Sequence, residues 1–236
     1  MTTGRGKGRG GGARAPRSAA VRVKTAARRK LSSTEWLARQ LNDPYVREAR
    51  RLGYRSRAAF KLIALDDRFR ILKPGARVVD LGAAPGGWTQ VAVARVGAES
   101  GAGRVVAVDC LALAPVAGAQ VLALDCLHPV APAAIAAALA GRADVVLSDM
   151  AAPATGHAAT DHLRIVALAE AAHAFACTVL APGGSFVVKV YQGGTTATLL
   201  AALKRDFVRV RHAKPPASRA ESAEVYVVAQ GFRGAS

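Results

Sequence analysis

Cysteine is scarce in this chain, and long uncharged stretches are missing. Three cysteines, Cys110, Cys126 and Cys177, stand among 236 residues. Their odd number and the lack of any Cys-x-x-Cys pair argue against a disulfide framework and for reduced thiols in a reducing compartment. The five histidines show no metal-ligand spacing, so no metal is expected. Hydrophobic residues make up 51% of the chain, yet no run of about eighteen escapes charge and helix breakers, which argues against a membrane span. No apolar segment near the start reads as a secretory signal. Neither the Gly-x-Gly-x-x-Gly fingerprint nor a Gly-Lys-Ser/Thr phosphate loop occurs, which disfavours dinucleotides and triphosphates as ligands. No internal repeat is visible.

Negative charge is the other shortage. Lys and Arg total 33 against 16 Asp and Glu, a formal charge of +17, which calls for an anionic polymer as partner, most simply nucleic acid. The imbalance is steepest in residues 1–31, where ten Lys or Arg and no acid are interleaved with Gly, Ala and Pro. Such a segment cannot bury enough apolar surface to order itself and is expected to be a disordered basic tail that tracks phosphates. A mitochondrial transit peptide is the competing reading, although the glycine-rich start makes a poor amphipathic helix. Residues 32–236 are long enough for one domain with a sizeable core.

The organising stretch is Val78-Val79-Asp80-Leu81-Gly82-Ala83-Ala84-Pro85-Gly86-Gly87-Trp88. An apolar run ending in an acid, a turn of small residues and a helical pattern to Val96 predict the first strand, turn and helix of a nucleotide-binding α/β domain. Gly82, Gly86 and Gly87 would let backbone approach a ligand. With the phosphate fingerprints missing, a nucleoside without phosphates fits better, and the strand-end acids Asp80 and Asp109 suit the ammonium and ribose hydroxyls of S-adenosylmethionine.

Upstream, Ser32-x-x-Glu35 reads as a capping box for a short helix to about Gln40, and Asp43-Pro44 opens a second that stops at Gly53. Arg47, Arg50, Arg51, Arg55 and Arg57, beside Trp36, Tyr45 and Tyr54, form a candidate RNA-docking face or, equally, a solvated helix surface. Ser56 can cap a helix over 57–66, with Lys61 beside its apolar stripe. Downstream, strands are expected at 77–81, 104–108, 120–124, 143–148 and 184–190, with helical segments around 88–96, 130–140 and 161–180. Continuous apolar runs such as Ala143–Leu147 suit parallel strands covered on both faces. The runs 206–211 and 223–230, joined only by a loop, suggest an antiparallel hairpin at one edge.

Asp80, Asp109 and Asp149 end three successive strands and should converge on one crevice beyond their carboxyl ends. Asp125 could reach an adenine amino group there or merely cap a helix. Lys189 sits in Ser185-Phe186-Val187-Val188-Lys189-Val190-Tyr191, a run fit for a buried strand. Burial would disfavour its charge and a neighbouring carboxylate would oppose that; a snorkelling lysine is the plain alternative.

Five ordered blocks then resemble the FtsJ-like (RrmJ/RlmE) ribose 2'-O-methyltransferase family from Ser32 to Gly231. They are Tyr54–Leu62, Val79–Trp88, Leu147-Ser148-Asp149-Met150-Ala151, Leu180–Lys189 and Ser218-Arg219-x-x-Ser222-x-Glu224-Val225-Tyr226. The resemblance implies a Rossmann-like S-adenosylmethionine-dependent methyltransferase fold: α/β, with a mainly parallel seven-stranded sheet and a C-terminal antiparallel hairpin. It implies a catalytic set of Lys61, Asp149, Lys189 and Glu224. It places the cofactor on Gly86, Trp88, Asp109, Asp125 and Asp149, beside Asp80 and Gly82 of the glycine turn. Arg55, Arg57 and Arg219 are the candidate RNA contacts. The sequence looks most like the bacterial ribosomal branch, which modifies an A-loop uridine of 23S ribosomal RNA. That similarity implies large-subunit RNA as partner, a role in subunit maturation, a cytoplasmic monomer (a mitochondrial matrix enzyme if the tail is a leader), and neither metal nor membrane. One departure is Asp149-Met150-Ala151-Ala152-Pro153-Ala154, where the family would carry Ala-Pro-Asn. A transfer-RNA ribose methyltransferase and a non-catalytic RNA-binding assembly factor are the rivals.

Deleting residues 1–30 should lower RNA affinity and flatten its dependence on salt, because every phosphate the tail ceases to neutralise takes about 0.7–0.9 off the slope of log K against log salt. An unchanged slope in a filter-binding titration would refute the tail as a phosphate tracker.

Overall fold

The computed structural model describes residues 31–153, 155–192 and 197–234. The basic tail expected over 1–31 lies outside the described residues except for its last position. The chain divides into a unit ending at Pro44 and a unit from Tyr45 onward. The first contains α1 (Leu31–Asn42), which is already helical one residue ahead of Ser32. Pro44 opens α2 (Pro44–Arg51) as its missing N–H permits.

The second unit is a three-layer α/β structure. After α3 (Ala59–Phe69) come β1 (Arg77–Leu81), α4 (Gly87–Val96), β2 (Arg104–Asp109), β3 (Ala119–Ala123), α5 (Ala131–Leu139) and β4 (Ala143–Ser148). Then follow α6 (Ala158–Val179), β5 (Leu180–Tyr191), α7 (Ala197–Asp206), β6 (Phe207–Ala213) and β7 (Glu224–Phe232). The seven strands form one sheet in the order β3-β2-β1-β4-β5-β7-β6. The pairs among β1 to β5 are parallel, and β7 runs antiparallel between β5 and β6. The expected terminal hairpin is therefore present, with its second strand inserted next to β5 and its first left at the edge.

Alternation along each strand divides the core between the two faces. Val79, Leu81, Val106, Val146 and Phe186 pack under α5, α6 and α7. Val78, Val105, Val145, Leu147, Val187 and Val228 pack under α3 and α4, around Leu62, Leu65 and Trp88. No expected element covers α7; its Leu199 and Leu203, one turn apart, are buried. Strand β5 starts earlier than the expected residue 184. Ala143 pairs with Leu180 while Val145 pairs with Ser185, so Pro182-Gly183-Gly184 bulge out at its start.

Ser56 does not cap α3. That helix begins at Ala59 with no side-chain cap, and Ser56 offers only its carbonyl, which accepts the Ala59 N–H at 3.3 Å. The Ser56 hydroxyl lies instead against the glycine turn, where a Cβ on Gly87 would come within 2.3 Å of its Oγ. A Cβ on Gly86, whose φ is +109°, would meet the Arg55 guanidinium at 3.0 Å, and one on Gly82 would meet Met150 Cγ at 2.7 Å. The glycines thus let neighbouring protein close over the turn, and at Gly86 and Gly87 this takes the place of the ligand approach expected of them.

Gly87→Ala should therefore destabilise by about 1–3 kcal/mol through overpacking, and Ser56→Ala in the same chain should restore most of the loss. Urea unfolding of both single variants and the double variant measures this; additive effects would refute the Ser56–Gly87 contact as the cause.

Candidate active site

Strand order reverses between β1 and β4, so a crevice opens beyond their carboxyl ends. It holds a cavity of about 470 Å³, a size suited to a nucleoside-like ligand. The floor is Gly82 and Ala84 from the turn after β1. Asp109 at the end of β2, and Asp125 and Asp149 in the loops after β3 and β4, supply carboxylates, while Leu111, Leu124, Leu127 and Met150 supply apolar walls. Asp109 is held from both sides, its Oδ2 accepting the Ala84 N–H and its Oδ1 the Leu111 N–H, both at 2.8 Å. Asp125 Oδ1 accepts the Leu127 N–H at 2.9 Å. A carboxylate oxygen has further lone pairs, so these bonds aim the acids into the cavity without exhausting them. The Cys126 thiol also borders the cavity, pushed up to about 11 first by burial and then by the Asp125 charge, and so stays a neutral wall.

Three residues expected at the cofactor, Asp80, Trp88 and Gly86, do not line this cavity. Asp80 is 1% exposed and faces α4, where its Oδ2 accepts the Thr89 hydroxyl at 2.7 Å. It shares strand parity with Val78, whose face packs under α4, whereas Leu81 points to the opposite face. Burial, followed by the nearby charges of Asp149 and Asp109, raises its pKa to about 7 against a pull down from Thr89. Trp88 is likewise buried, its Nε1–H donating to the Ala58 carbonyl at 2.8 Å and its ring 5.5 Å from that of Tyr226. It ties α4 to the start of α3 and does not line the cavity. Nor does Gly86, which caps α4 with a left-handed backbone.

The expected catalytic residues do come together. Lys61, in the first turn of α3, lies 2.7 Å from Glu224 Oε1 and donates to its Oε2 at 2.8 Å. Ser218 Oγ donates to Glu224 Oε1 at 3.0 Å. Lys189 Nζ donates to the Asp149 carbonyl at 2.7 Å and lies 3.1 Å from its Oδ1. These two ion pairs are joined by Tyr226, which stands in the last motif block but to which the resemblance assigns no role. Its hydroxyl donates to Asp149 Oδ1 at 2.8 Å and accepts from Lys61 Nζ at 3.2 Å. Register explains the meeting: Tyr226 stands directly opposite Lys189 across β5 and β7, and Glu224 lies two residues before it on the same face. The Tyr226 hydroxyl is held well above the ordinary phenol range, chiefly by burial and then by the Asp149 and Glu224 charges, so it remains a proton-bearing donor. Glu224–Lys61–Tyr226–Asp149–Lys189 is thus one continuous chain, and Asp149 belongs both to it and to the cavity wall.

The arginines assigned to RNA are partly spent on the fold. The Arg55 guanidinium donates to the carbonyls of Pro85, Ala114 and Pro115, pinning the glycine turn to the loop after β2. Arg57 donates to the Ala217 carbonyl and lies over the Tyr45 ring. Tyr45 and Tyr54 pack on Phe60, so they brace α3 from the side. Arg219 is half-buried in the β6–β7 loop, next to Ser218.

One titratable group falls outside the histidine expectation. His173 and Cys177, a turn apart on α6, meet Asp206 so that their ligand atoms lie within 4.8 Å of one another. Both Asp206 oxygens already accept from the Arg205 guanidinium, at 2.7 and 2.9 Å, and His173 Nε2 lies 3.0 Å from Oδ2. The cluster braces α6 to α7. Among the described residues no helix is long and apolar enough to cross a membrane.

The FtsJ-like methyltransferase family model matches residues 54–232. The chain is 66% identical over 233 residues to Ribosomal RNA large subunit methyltransferase E of Paramagnetospirillum magneticum, covering 98% of this chain and 94% of that one. It is 61% identical over 238 residues to the protein of the same name from Parvibaculum lavamentivorans, covering 98% and 92%. Among solved structures, one from Plasmodium falciparum described as a ribosomal RNA methyltransferase aligns with a TM-score of 0.67 at 29% identity, covering 77% of this chain and all of that one.

Because Asp80 has a raised pKa in the folded state, it stabilises the fold fully below its unfolded value near 4 and loses that contribution as pH rises through about 7. The difference is on the order of 4 kcal/mol. Asp80→Asn should keep the Thr89 hydrogen bond and remove this part of the loss. Urea unfolding at pH 5 and pH 8 tests it; identical pH responses in both proteins would refute the assignment.

Proposed function

This chain belongs to the FtsJ-like methyltransferase family, and on that premise we propose that it methylates the ribose 2'-hydroxyl of an A-loop uridine in 23S ribosomal RNA. S-adenosylmethionine is the donor in this reading, and the reaction serves maturation of the large ribosomal subunit. The observation that carries it is the position of Asp149, which lines the nucleoside-sized cavity and also holds Lys189. A methyl donor and an acceptor hydroxyl therefore need only meet at that carboxylate. The names of the relatives support ribosomal RNA of the large subunit as the acceptor.

The donor set fits S-adenosylmethionine. Asp109, steered by two backbone N–H groups, suits the ribose hydroxyls, Asp125 suits the adenine amino group, and the leucines and Met150 suit the flat faces of the base. When bound, this cofactor supplies a sulfonium methyl group open to in-line displacement by oxygen.

The rest falls to side chains of this chain. Lys189 accepts the proton of the attacking 2'-hydroxyl, and Asp149 stabilises the ammonium that results. Two fixed donors on Asp149, Tyr226 Oη and Lys189 Nζ, orient that carboxylate, so its geometry does not have to be reached at the moment of transfer. Lys61, anchored by Glu224 and Tyr226, presents a positive donor at the other end of the chain and aligns the ribose. Most of the rate comes from holding nucleophile and methyl group in line, with one proton to manage.

Lys189→Ala should leave S-adenosylmethionine affinity nearly unchanged and lower kcat by roughly 10²- to 10⁴-fold, the range for loss of a positioned base. Transfer of labelled methyl groups to isolated large subunits, beside calorimetric titration of the donor, measures both. Undiminished transfer would overturn the role of Lys189, and labelling of transfer RNA in place of the large subunit would overturn the substrate.

A further inference from the structure

A second concave site lies at the opposite end of the strands, and the functional reading above leaves it unused. Its cavity, of about 570 Å³, opens beside the amino ends of β1 and β4, the bulge that starts β5, and the last residues of β7. Three cations line it: Arg70 at the end of α3, Lys73 in the loop that follows, and Arg209 on the edge strand β6. All three are exposed, and none has a hydrogen-bond or ion-pair partner for its side chain among the described residues. The one acid in the lining, Asp144, already accepts the Arg77 N–H at 2.8 Å. Three cations facing one carboxylate leave the lining net positive, and a bound anion relieves the repulsion among them.

The geometry ties this cavity to the catalytic residues. Ser185, Gln230 and Arg209 form a row across β5, β7 and β6, as each is the register partner of the next. Lys189 and Tyr226 form a parallel row on the same face of the sheet, four residues along, with Val187 and Val228 between. Four strand residues span about 13 Å. Helix α3 bridges the same interval, with Lys61 in its first turn and Arg70 just past its end, and Gln230 Nε2 donates to the Phe69 carbonyl to hold that end over the row. Arg211, two residues after Arg209 on β6, is exposed on the same face and lies between the rows.

We infer that Arg70, Lys73 and Arg209 hold a backbone phosphate of the RNA substrate, on the order of four nucleotide steps from the methylated ribose at about 3.4 Å per step. The inference rests on the RNA-methylation reading. Cations on an edge strand also deter strand pairing between molecules. That explains Arg209 and Arg211 but leaves Arg70 and Lys73, which are on no edge strand, without a role. An RNA strand is the favoured occupant because the cavity is open, shares a face with the catalytic chain and is continued toward it by Arg211. The site would set register and affinity without reading bases.

The test is the double variant Lys73→Gln/Arg209→Gln in the full chain, with Lys204→Gln on α7, at the other face of the sheet, as the charge control. With a large-subunit RNA fragment, removing two phosphate-neutralising charges should reduce the slope of log K against log salt by about 1.4–1.8. KM for that RNA should rise about tenfold at low salt, while kcat at saturating RNA and affinity for S-adenosylmethionine stay unchanged. An unchanged slope, or an equal drop per charge in Lys204→Gln, overturns the inference. So does a site that AMP saturates in the wild type while the RNA slope stays the same in the double variant, since the occupant would then be a small nucleotide. If the wild-type protein neither binds nor methylates the RNA, the functional reading itself has failed, a result separate from those three.

Discussion

The antiparallel pairing of β7 with β5 is the constraint on which the site depends. A wholly parallel sheet would bring β7 alongside with its residues running the other way, and Glu224 and Tyr226, at its start, would lie far from Lys189. Antiparallel insertion puts the start of β7 beside the end of β5, so that Lys189 faces Tyr226 and Tyr191 faces Glu224. The carboxyl ends of β4 and β5 then meet the amino end of β7. Asp149, one residue beyond β4, finds two donors waiting. Lys61 completes the chain only because α3 packs its buried Leu62 and Leu65 onto that same face.

A buried ionic chain is costly unless each charge is paired and each donor has an acceptor. Here the pairing is complete: Lys61 has Glu224 and Tyr226, Lys189 has the carboxylate and carbonyl of Asp149, and Ser218 takes a remaining site on Glu224. Tyr226 matters because it couples the two ion pairs through a neutral group that burial keeps protonated. The same economy governs the cofactor side. Asp109 and Asp125 are oriented by backbone N–H groups of their own loops, so the cavity is shaped before a ligand arrives. Asp80 supplies a contrast. Close to the same crevice, it is turned by strand parity into the face that packs on α4 and becomes a tie to Thr89.

The glycine turn shows how one motif can serve the site indirectly. Its small residues suggest room for a ligand, and Gly82 does border the cavity. The space gained at Gly86 and Gly87 is filled by Arg55 and Ser56. Arg55, an apparent RNA contact by charge, thereby clamps the turn through three carbonyls. Charge alone could not reveal this, because backbone acceptors carry no mark in a sequence.

Local pattern was enough for much of the architecture. Strand and helix periods marked all seven strands and nearly all of the helices within a few residues, since alternation and amphipathicity are properties of neighbouring residues. Strand-end acids at Asp109 and Asp149 were legible for the same reason, and the ordered motif blocks carried the family and its candidate Lys61, Asp149, Lys189 and Glu224. What only the tertiary structure decided depends on pairings distant in the chain. These are the displacement of Asp80, Gly86 and Trp88 from the cavity, the capture of Arg55 and Arg57 by carbonyls, Tyr226 as the link between two ion pairs, and the cationic cavity built from α3, β5 and β6. A side chain's parity is written in its own strand. What stands opposite it is set by register with a strand tens of residues away, and no local period carries that register.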